Sequence, residues 1–427
     1  MPELKKEVGL IGLSANILNT IIGAGIFVLP AIVAEGLGSN GIFAYLFCGL
    51  LVSMIMLCFA EVGSRVSHPG GPYAYIEVAF GKYIGFVTAI LYIIGSFTAD
   101  AAVSNALFNI LASFFPSIDS SLVRILFLVL VFSSLAIVNI RGTKQGIGIV
   151  KLITLFKVGP LLLLVIIGWG YMDFANLYMD HLPNAMELGE ISLVLFFAFL
   201  GGENGLAING EVKNIQRTVP RAIFIAVFII LILYIGIQTV AQGILGPSLP
   251  AFKDSPLSEV AAVIFGSIGF ALMGVGAAVS MFGNLSSEIL SMPRVLHAAA
   301  QDRIFPSEWL AKVNSKYATP ANAVILYSSF ALALAVAGGF KQLAVIATAI
   351  ILFLYLGVAF ALIKLRKTKA FEKGEFKIPG GVTVPIFTIG IIIYFLSNLA
   401  RIEIIGISIA FVLSSLIYFI LKRLRVD

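Results

Sequence analysis

The chain has 427 residues, of which 59% are hydrophobic and only 12% charged, with a mean hydropathy of +1.04 and a net charge of +6. This small number of polar groups cannot cover the surface of a water-soluble protein, and the composition therefore excludes that class. It indicates a protein that crosses the membrane many times. The basic excess does not indicate nucleic-acid binding, because its distribution along the chain matches a membrane orientation.

Twelve apolar runs are long enough to span a bilayer. They are residues 8–34, 41–66, 73–114, 121–140, 146–171, 191–210, 222–245, 260–297, 321–337, 343–365, 384–399 and 404–424, of which the third and eighth are long. The first run is too long to be a removable signal peptide, and it lacks the small-residue cleavage site that such a peptide has. Cys48 and Cys58 both lie in the second run, so they indicate neither a disulfide framework nor a metal site.

The distribution of lysine and arginine predicts the orientation of these segments. An even number of crossings puts both termini on one side of the membrane. With an inside start, only Arg124, Lys253, Lys341 and Arg401 of the 28 basic residues lie outside, and Lys157 lies within a segment. Basic residues concentrate on the cytoplasmic side of membrane proteins. We therefore expect a multi-pass protein of the cell (plasma) membrane with both termini in the cytoplasm.

Glycines interrupt two of the segments. In the first, Gly23 and Gly25 stand two residues apart and Pro30 follows; in the sixth, the interruption is 201–205. Glycine and proline weaken a helix, and a backbone group freed in lipid is costly unless protein, water or ligand satisfies it. One interrupted segment in each half is the pattern of a transporter's binding site at the membrane midplane. A close contact between helices through small residues is the alternative for the first segment.

Four stretches resemble the amino acid–polyamine–organocation superfamily. They are 22–27; Glu61 with 70–75; 201–203 with 211–214 and 219–222; and 302–306 with Thr319 and Pro320. The resemblance covers most of the chain in order and implies the sodium–leucine-symporter fold. That fold would place one transmembrane domain over 1–427, with inverted five-helix repeats at 8–171 and 191–365 and two additional helices at 384–424. Broken first and sixth helices are its hallmark.

A broken first helix would offer its backbone to a substrate. The second half, from about Gly25, would present free amides and the positive dipole end to a carboxylate, while open carbonyls at both breaks would suit an ammonium group. Together these groups describe the main chain of an α-amino acid, whereas a polyamine would use only the carbonyls. The predicted substrate-binding residues of the two breaks are Ile22, Gly23, Ala24, Gly25, Ile26, Phe197, Leu200, Gly201 and Gly202.

Lys157 lies within the fifth segment, which contains no acidic residue. An ionisable side chain at membrane depth is costly and is treated as functional by default. A proton-coupled member of the family carries a lysine at this position, where its ammonium resembles a replacement for the sodium ion of sodium-dependent relatives. The resemblance implies that transport is independent of sodium and that Lys157 couples it to protons. Some sodium-independent exchangers of the family carry the same lysine, so exchange is the alternative.

The resemblance also implies roles for residues near the sixth helix. Glu203 is similar to a glutamate implicated in substrate binding or pH response in the arginine–agmatine and putrescine exchangers, and we predict a part in proton coupling. Tyr92 and Tyr355 fall at gate positions near it. Phe197 falls where the family has a gating aromatic residue, which is tryptophan in the arginine–agmatine exchanger. The alternative for each tyrosine is a packing residue with a satisfied hydroxyl.

Asp100 and Glu288 fall at pocket positions where that exchanger has asparagine and tryptophan, so we count both as candidate substrate-binding residues. Together with Glu203 they would make the pocket negative, which favours a cationic side chain or an amine. A neutral amino acid fits equally well if one carboxylate is protonated or pairs with Lys157, as buried charges usually do. Glu61 and Glu77, near the cytoplasmic ends, are expected to be structural.

The sequence therefore predicts an all-α membrane protein of twelve transmembrane helices that carries amino acids or related amines by alternating access. A channel would need a continuous polar pore, and the ionisable residues lie at discrete depths instead. The sequence has no paired catalytic acids, nucleophile triad, phosphate loop or metal cluster, so we expect no enzymatic activity, cofactor or metal. Expected partners are the substrate, protons and the lipid bilayer, with no nucleic acid and no disulfide-linked heavy subunit; the oligomeric state is left open.

Overall fold

The computed structural model describes residues 9–66, 72–141, 147–179, 182–205, 212–301, 307–368 and 375–424. The motif residues Gly70, Gly71, Glu211 and 302–306 lie outside the described residues. Within the described ranges the chain forms sixteen α-helices. They are α1 (Leu10–Ile21), α2 (Gly25–Leu37), α3 (Gly41–Arg65), α4 (Pro72–Phe80), α5 (Lys82–Phe114), α6 (Ser121–Arg141), α7 (Ile147–Gly168), α8 (Ala185–Leu195), α9 (Gly202–Gly205), α10 (Ile215–Leu245), α11 (Pro256–Gln301), α12 (Glu308–Ala311), α13 (Ala321–Ala337), α14 (Phe340–Thr368), α15 (Thr383–Leu396) and α16 (Arg401–Leu424).

The described helices match the expected all-helical class of multi-pass membrane protein. Eight helical stretches are long and apolar enough to cross a membrane, and four shorter apolar helices accompany them, Leu10–Ile21, Lys157–Tyr171, Ala321–Ala337 and Thr383–Leu396. Because some expected crossings coincide with these shorter helices, the count of twelve crossings stays a prediction.

Two expected segments are divided by glycines with positive φ angles. The third segment was expected as one long helix, but Gly81 has a φ of 90° and separates the short α4 from α5. In α11, Gly266 has a φ of 67° and a ψ of −156°, which places a kink ten residues after the helix begins at Pro256. Such φ values are energetically costly for residues with a side chain, whereas glycine adopts them at very little cost.

The first segment is broken as the glycine pattern predicts. α1 ends at Ile21, Ile22 leaves helical geometry with a ψ of 98°, and α2 begins at Gly25. Pro30 is not part of the break, since it lies in the interior of α2. The carbonyl of Pro30 instead accepts a hydrogen bond of 3.4 Å from the side chain of Gln238 in α10.

The sixth segment has a matching interruption. α8 ends at Leu195 and continues as a short 3-10 helix, Phe196–Phe199, before Gly201 turns the chain with a φ of 94° and α9 begins at Gly202. Glycine adopts that backbone conformation without the steric cost that a Cβ atom would add.

The two breaks touch each other. A Cβ atom at Gly201 would lie 2.7 Å from the carbonyl oxygen of Thr20, and one at Gly25 would lie 2.7 Å from the Cα atom of Ala198. Around them, α5 packs against α11, α13 and α14, and α10 packs against α1 and α3. Side chains from α5, α11 and α14 therefore surround the point where the backbone is open.

A buried ion cluster around Glu61 joins α3 to α14. This agrees with the structural role expected for Glu61. The carboxylate of Glu61 is fully buried and pairs with Arg65 at 2.9 Å and with Arg366 of α14. It also accepts a hydrogen bond of 2.8 Å from the backbone amide of Ile378. Because each oxygen of this carboxylate has a cationic partner, the burial of its charge is compensated.

Candidate functional site

A cavity opens where the two helix breaks meet. Its empty volume is about 650 Å³, including the part open to solvent. The lining residues come from both breaks and from α5, α11 and α14. They are Thr20, Ile21, Gly23, Ala24, Gly25, Tyr92, Gly95, Ser96, Ala99, Asp100, Val103, Phe197, Leu200, Gly201, Glu203, Asn204, Asn284, Glu288 and Ile351.

Most of the predicted substrate-binding residues line this cavity. Eight of them do so: Gly23, Ala24, Gly25, Asp100, Phe197, Leu200, Gly201 and Glu288. The other three, Ile22, Ile26 and Gly202, are not among the lining residues. Ile22 and Ile26 are buried in the hydrophobic core, and a Cβ atom at Gly202 would lie 2.7 Å from the sulfur of Met56 in α3.

Backbone groups form one side of the cavity. Gly25 and Ile26 begin α2, and amides in the first turn of a helix have no carbonyl partner within that helix. They also lie at the positive end of the helix dipole. Gly23 sits next to the side-chain amide of Asn284, whose nitrogen would lie 3.5 Å from a Cβ atom placed on that glycine. These donors together suit a carboxylate.

The two glycines of the first break have different reasons to lack a side chain. A Cβ atom at Gly25 would lie 2.7 Å from both the Cα and the Cβ atom of Ala198. A Cβ atom at Gly23 would make only ordinary contact with Asn284. At Gly25 a close approach of helices already requires glycine, and the hypothesis that both glycines lack a side chain because a substrate meets the backbone there stays a prediction.

Polar side chains on the other side of the cavity are joined in hydrogen-bonded pairs. Tyr355 donates to the carboxylate of Glu203 at 2.5 Å. Tyr92 donates to the side-chain oxygen of Asn204 at 2.7 Å, and the nitrogen of Asn204 donates to Glu288 at 3.2 Å. The two predicted gate tyrosines thus lie beside Glu203 and its neighbour Asn204, although only Tyr92 lines the cavity.

Asp100 accepts a hydrogen bond of 2.7 Å from the hydroxyl of Tyr327 in α13, and its side chain is only 1% exposed. Among the described residues that line the cavity, three have carboxyl groups, Asp100, Glu203 and Glu288, and none is lysine, arginine or histidine.

Phe197 lies in the 3-10 helix between α8 and α9 and lines the cavity. Its ring meets that of Phe340, at the start of α14, edge to face with a centroid distance of 5.7 Å.

Lys157 lies apart from the cavity, on α7. Its side chain is 5% exposed, and its ammonium donates a hydrogen bond of 3.0 Å to the carbonyl of Asn19 in the last turn of α1. None of the ion pairs found among the described residues includes Lys157. In the described part of the chain, Lys157 therefore does not pair with a carboxylate of the cavity, as one alternative supposed.

Comparison with known proteins decides the family. The family model described as amino acid permease matches residues 8–421 of this chain. The chain belongs to the amino acid permease family. It is therefore a multi-pass membrane transporter of amino acids and not an enzyme, and the superfamily that its motifs resemble is confirmed.

Curated relatives agree with this assignment. The permease is similar to the serine/threonine exchanger SteT of Bacillus subtilis (strain 168), at 30% identity over 391 residues, which cover 90% of this chain and 89% of that protein. It is 26% identical to the methylthioribose transporter of the same organism, covering 95% of this chain and 91% of that protein. It is 25% identical to the vacuolar cationic amino acid transporter 4 of Arabidopsis thaliana, and the match covers 85% of this chain and 64% of that protein.

Sequence reasoning missed four polar residues that line the permease's cavity, Thr20, Ser96, Asn204 and Asn284, and it missed Tyr327, which donates a hydrogen bond to Asp100. Asn284 could have been found, because it precedes Glu288 by four positions and so shares a face of α11 with it. Asn204 directly follows Glu203, which was selected. Tyr327 left no such signal, since its partner Asp100 is 227 positions away and only the packing of α13 on α5 brings them together.

Proposed function

We propose that this permease carries α-amino acids across the cell membrane by alternating access, without sodium, and that Lys157 couples transport to protons. The observation that carries the proposal is the hydrogen bond from the Lys157 ammonium to the carbonyl of Asn19. In this proposal the bond links Lys157, on α7, to α1, the half-helix that would have to move.

The backbone at the breaks supports an α-amino acid as substrate. The first turn of α2 offers the amides of Gly25 and Ile26 and the positive end of a helix dipole, which suit the carboxylate. Carbonyls near the end of α1 and around Leu200 and Gly201 suit the α-ammonium group. In this proposal the main chain of the substrate completes the hydrogen bonds that the two breaks leave open.

The position of Lys157 supports independence from sodium. The last-turn carbonyls of α1 would be natural oxygen ligands for a cation, and one of them already accepts a hydrogen bond from the lysine. A second cation beside the ammonium would be repelled. Loss of the proton would remove the positive charge from this contact and allow α1 to move relative to α7.

The gate in this proposal consists of Tyr92, Phe197 and Tyr355. The two tyrosine hydroxyls bond to Asn204 and Glu203 at the start of α9, so breaking those bonds would free α9 from α5 and α14. Glu203 would respond to the proton because its carboxylate is the acceptor in one of the bonds. We also propose twelve crossings, ten of them in two inverted five-helix repeats followed by two additional helices, with both termini in the cytoplasm.

An obligate exchanger is the second candidate function. The observation in its favour is the similarity to a protein named as a serine/threonine exchanger. In that case Lys157 would serve as a fixed structural cation, and internal substrate rather than protons would drive uptake.

The proposal is tested with the purified full chain in proteoliposomes, supplied with the twenty amino acids and common polyamines. We expect accumulation of at least one amino acid under an inward proton gradient, with no response to a sodium gradient. Accumulation driven by sodium would refute the coupling scheme. Accumulation that requires internal substrate and ignores the proton gradient would select the exchanger instead.

A further inference from the structure

Two carboxylates from different helices share the cavity without a basic partner there. Asp100 comes from the middle of α5 and Glu288 from α11, and both line the same space. The ion pairs found among the described residues join Glu61, Glu35 and Glu375 to arginine or lysine, and none includes these two carboxylates. A negative charge held in a partly desolvated site is costly unless a cation or hydrogen-bond donors compensate it.

A neutral donor orients each carboxylate by a single oxygen. The hydroxyl of Tyr327 donates to Oδ2 of Asp100, and the side-chain nitrogen of Asn204 donates to Oε1 of Glu288. A carboxylate has two oxygens and about four lone-pair sites. Oδ1 of Asp100 and Oε2 of Glu288 can therefore accept hydrogen bonds from a ligand in the cavity.

The orientation of Asn204 supports this assignment of donors. Tyr92 donates its hydroxyl hydrogen to the oxygen of the Asn204 side chain, so the nitrogen of that amide is the end that faces Glu288. Tyr92, Asn204 and Glu288 thus form a chain of donors that ends on a carboxylate. Such a chain presents acceptors to the cavity, and a ligand rich in N–H groups matches it.

The spacing along α11 relates these acceptors to the proposed main-chain site. Asn284 lies beside Gly23, where the substrate carboxylate is proposed to bind, and Glu288 follows one helical turn later. Four residues of α-helix advance about 6 Å along the axis. A ligand that reaches both places needs a carboxylate at one end and a donor group several bonds away.

We propose that Asp100 and Glu288 form a second amine subsite, which receives the side-chain ammonium of a cationic α-amino acid. The inference rests on the proposed function, because it assumes that the main chain of the substrate binds at the helix breaks. It assigns the substrate class that the sequence left open between cationic and neutral amino acids. The ammonium supplies up to three N–H donors, and the two free carboxylate oxygens supply acceptors and the compensating charge.

The test compares two ligands of nearly equal shape. Lysine and norleucine share an unbranched four-carbon side chain, and lysine alone extends it by a terminal ammonium group. Binding to the wild-type protein in nanodiscs is measured by calorimetry, with ornithine and threonine as further ligands. We expect lysine or ornithine to bind at least about tenfold more tightly than norleucine, because charge-assisted hydrogen bonds outweigh apolar contact in such a site. Equal affinity for lysine and norleucine would overturn the subsite.

Variants assign the effect to the two carboxylates. Asp100→Asn and Glu288→Gln keep the shape of each side chain, and we expect each to weaken lysine or ornithine binding by about tenfold to a hundredfold while norleucine and threonine change less than threefold. Glu308→Gln, an exposed carboxylate on α12, is the matched control and should change neither. Equal losses for cationic and neutral ligands would make the carboxylates structural and overturn the assignment.

The outcomes separate this inference from the proposed function. A wild-type protein that binds and transports threonine or norleucine but no cationic amino acid would refute the subsite and leave amino acid transport standing. A protein that binds none of the twenty amino acids would refute both. If a variant fails to fold, as judged by size-exclusion chromatography, the wild-type comparison of lysine with norleucine still decides the matter.

Discussion

The ammonium of Lys157 donates a hydrogen bond of 3.0 Å to the main-chain carbonyl of Asn19, 138 positions earlier in the chain. α1 ends two residues after Asn19, at Ile21, so this carbonyl belongs to the last turn of the half-helix. The bond gives the buried ammonium, which would be costly to leave unpaired in lipid, an oxygen acceptor. It also ties α7 to the half-helix that ends at the cavity.

The first prediction concerns this bond. Lys157→Met keeps most of the length of the side chain and removes the donor and the charge. Because Lys157 is proposed to carry the coupled proton, and its protonated form is more populated at low pH, wild-type uptake should rise as external pH falls. The variant should show a flat pH profile with at least tenfold less accumulation. Uptake into proteoliposomes, measured between about pH 5 and 8, gives both the pH profile and the extent of accumulation.

The control for this experiment is Lys312→Met, which removes an exposed lysine outside the described cavity and should leave the profile unchanged. Substrate binding by the Lys157 variant should persist within a few-fold, because Lys157 does not line the cavity. A variant that keeps the wild-type pH dependence would show that the coupled proton resides elsewhere.

The second prediction concerns the contact between the two breaks. Gly25→Val adds a branched side chain where even a Cβ atom would lie 2.7 Å from Ala198. Overpacking of this kind typically costs about 1–3 kcal/mol, so we expect both lost transport and a lower melting temperature in lipid nanodiscs. Gly390→Val in α15, where nothing lies within 4 Å of the added Cβ atom, is the matched control. Normal uptake by Gly25→Val would contradict the packing of the breaks described above.

The third prediction concerns the bond between Tyr355 and Glu203. Tyr355→Phe removes the hydroxyl that donates to the buried carboxylate and leaves the ring in place. A hydrogen bond to a charged group contributes about 1.5–3 kcal/mol, so the free energy of unfolding should fall by about that amount, and the substrate concentration for half-maximal uptake should change. Tyr418→Phe, a ring-packing tyrosine on α16 far from the cavity, serves as the comparison. Equal behaviour of the two variants would argue that Tyr355 only packs.

The fourth prediction contrasts a buried with an exposed ion pair. Glu61→Gln removes the charge shared by Arg65 and Arg366, and the longer contact of Arg65 with Glu375, at 3.9 Å, does not replace it for Arg366. Breaking such a cluster costs about 3–5 kcal/mol. Glu35→Gln removes one partner of the exposed pair with Lys253, and such pairs contribute about 0–1 kcal/mol. Thermal unfolding of both variants in the same lipid should show a large shift for the first alone; similar shifts would mean that the Glu61 cluster is solvated.

The amino-acid sequence by itself determined the class of this protein and the position of its two helix breaks. Membrane helices are specified by local composition, because lipid requires long apolar runs in which every backbone group is paired. The same requirement makes glycine pairs such as Gly23 and Gly25 visible as interruptions. The motifs around those interruptions also identified the superfamily.

The tertiary structure decided what no local pattern contains. Asp100 and Tyr327 are 227 positions apart, and Tyr92 and Asn204 are 112 positions apart, so only the packing of their helices makes these bonds. The rotation of α11 about its axis determines that Asn284 and Glu288 face the cavity while Ser287 is exposed at the surface. Gly25 likewise was recognised from the sequence as a glycine at a break, but its contact with Ala198 depends on how closely two distant helices approach, a distance set by side-chain packing across the whole bundle.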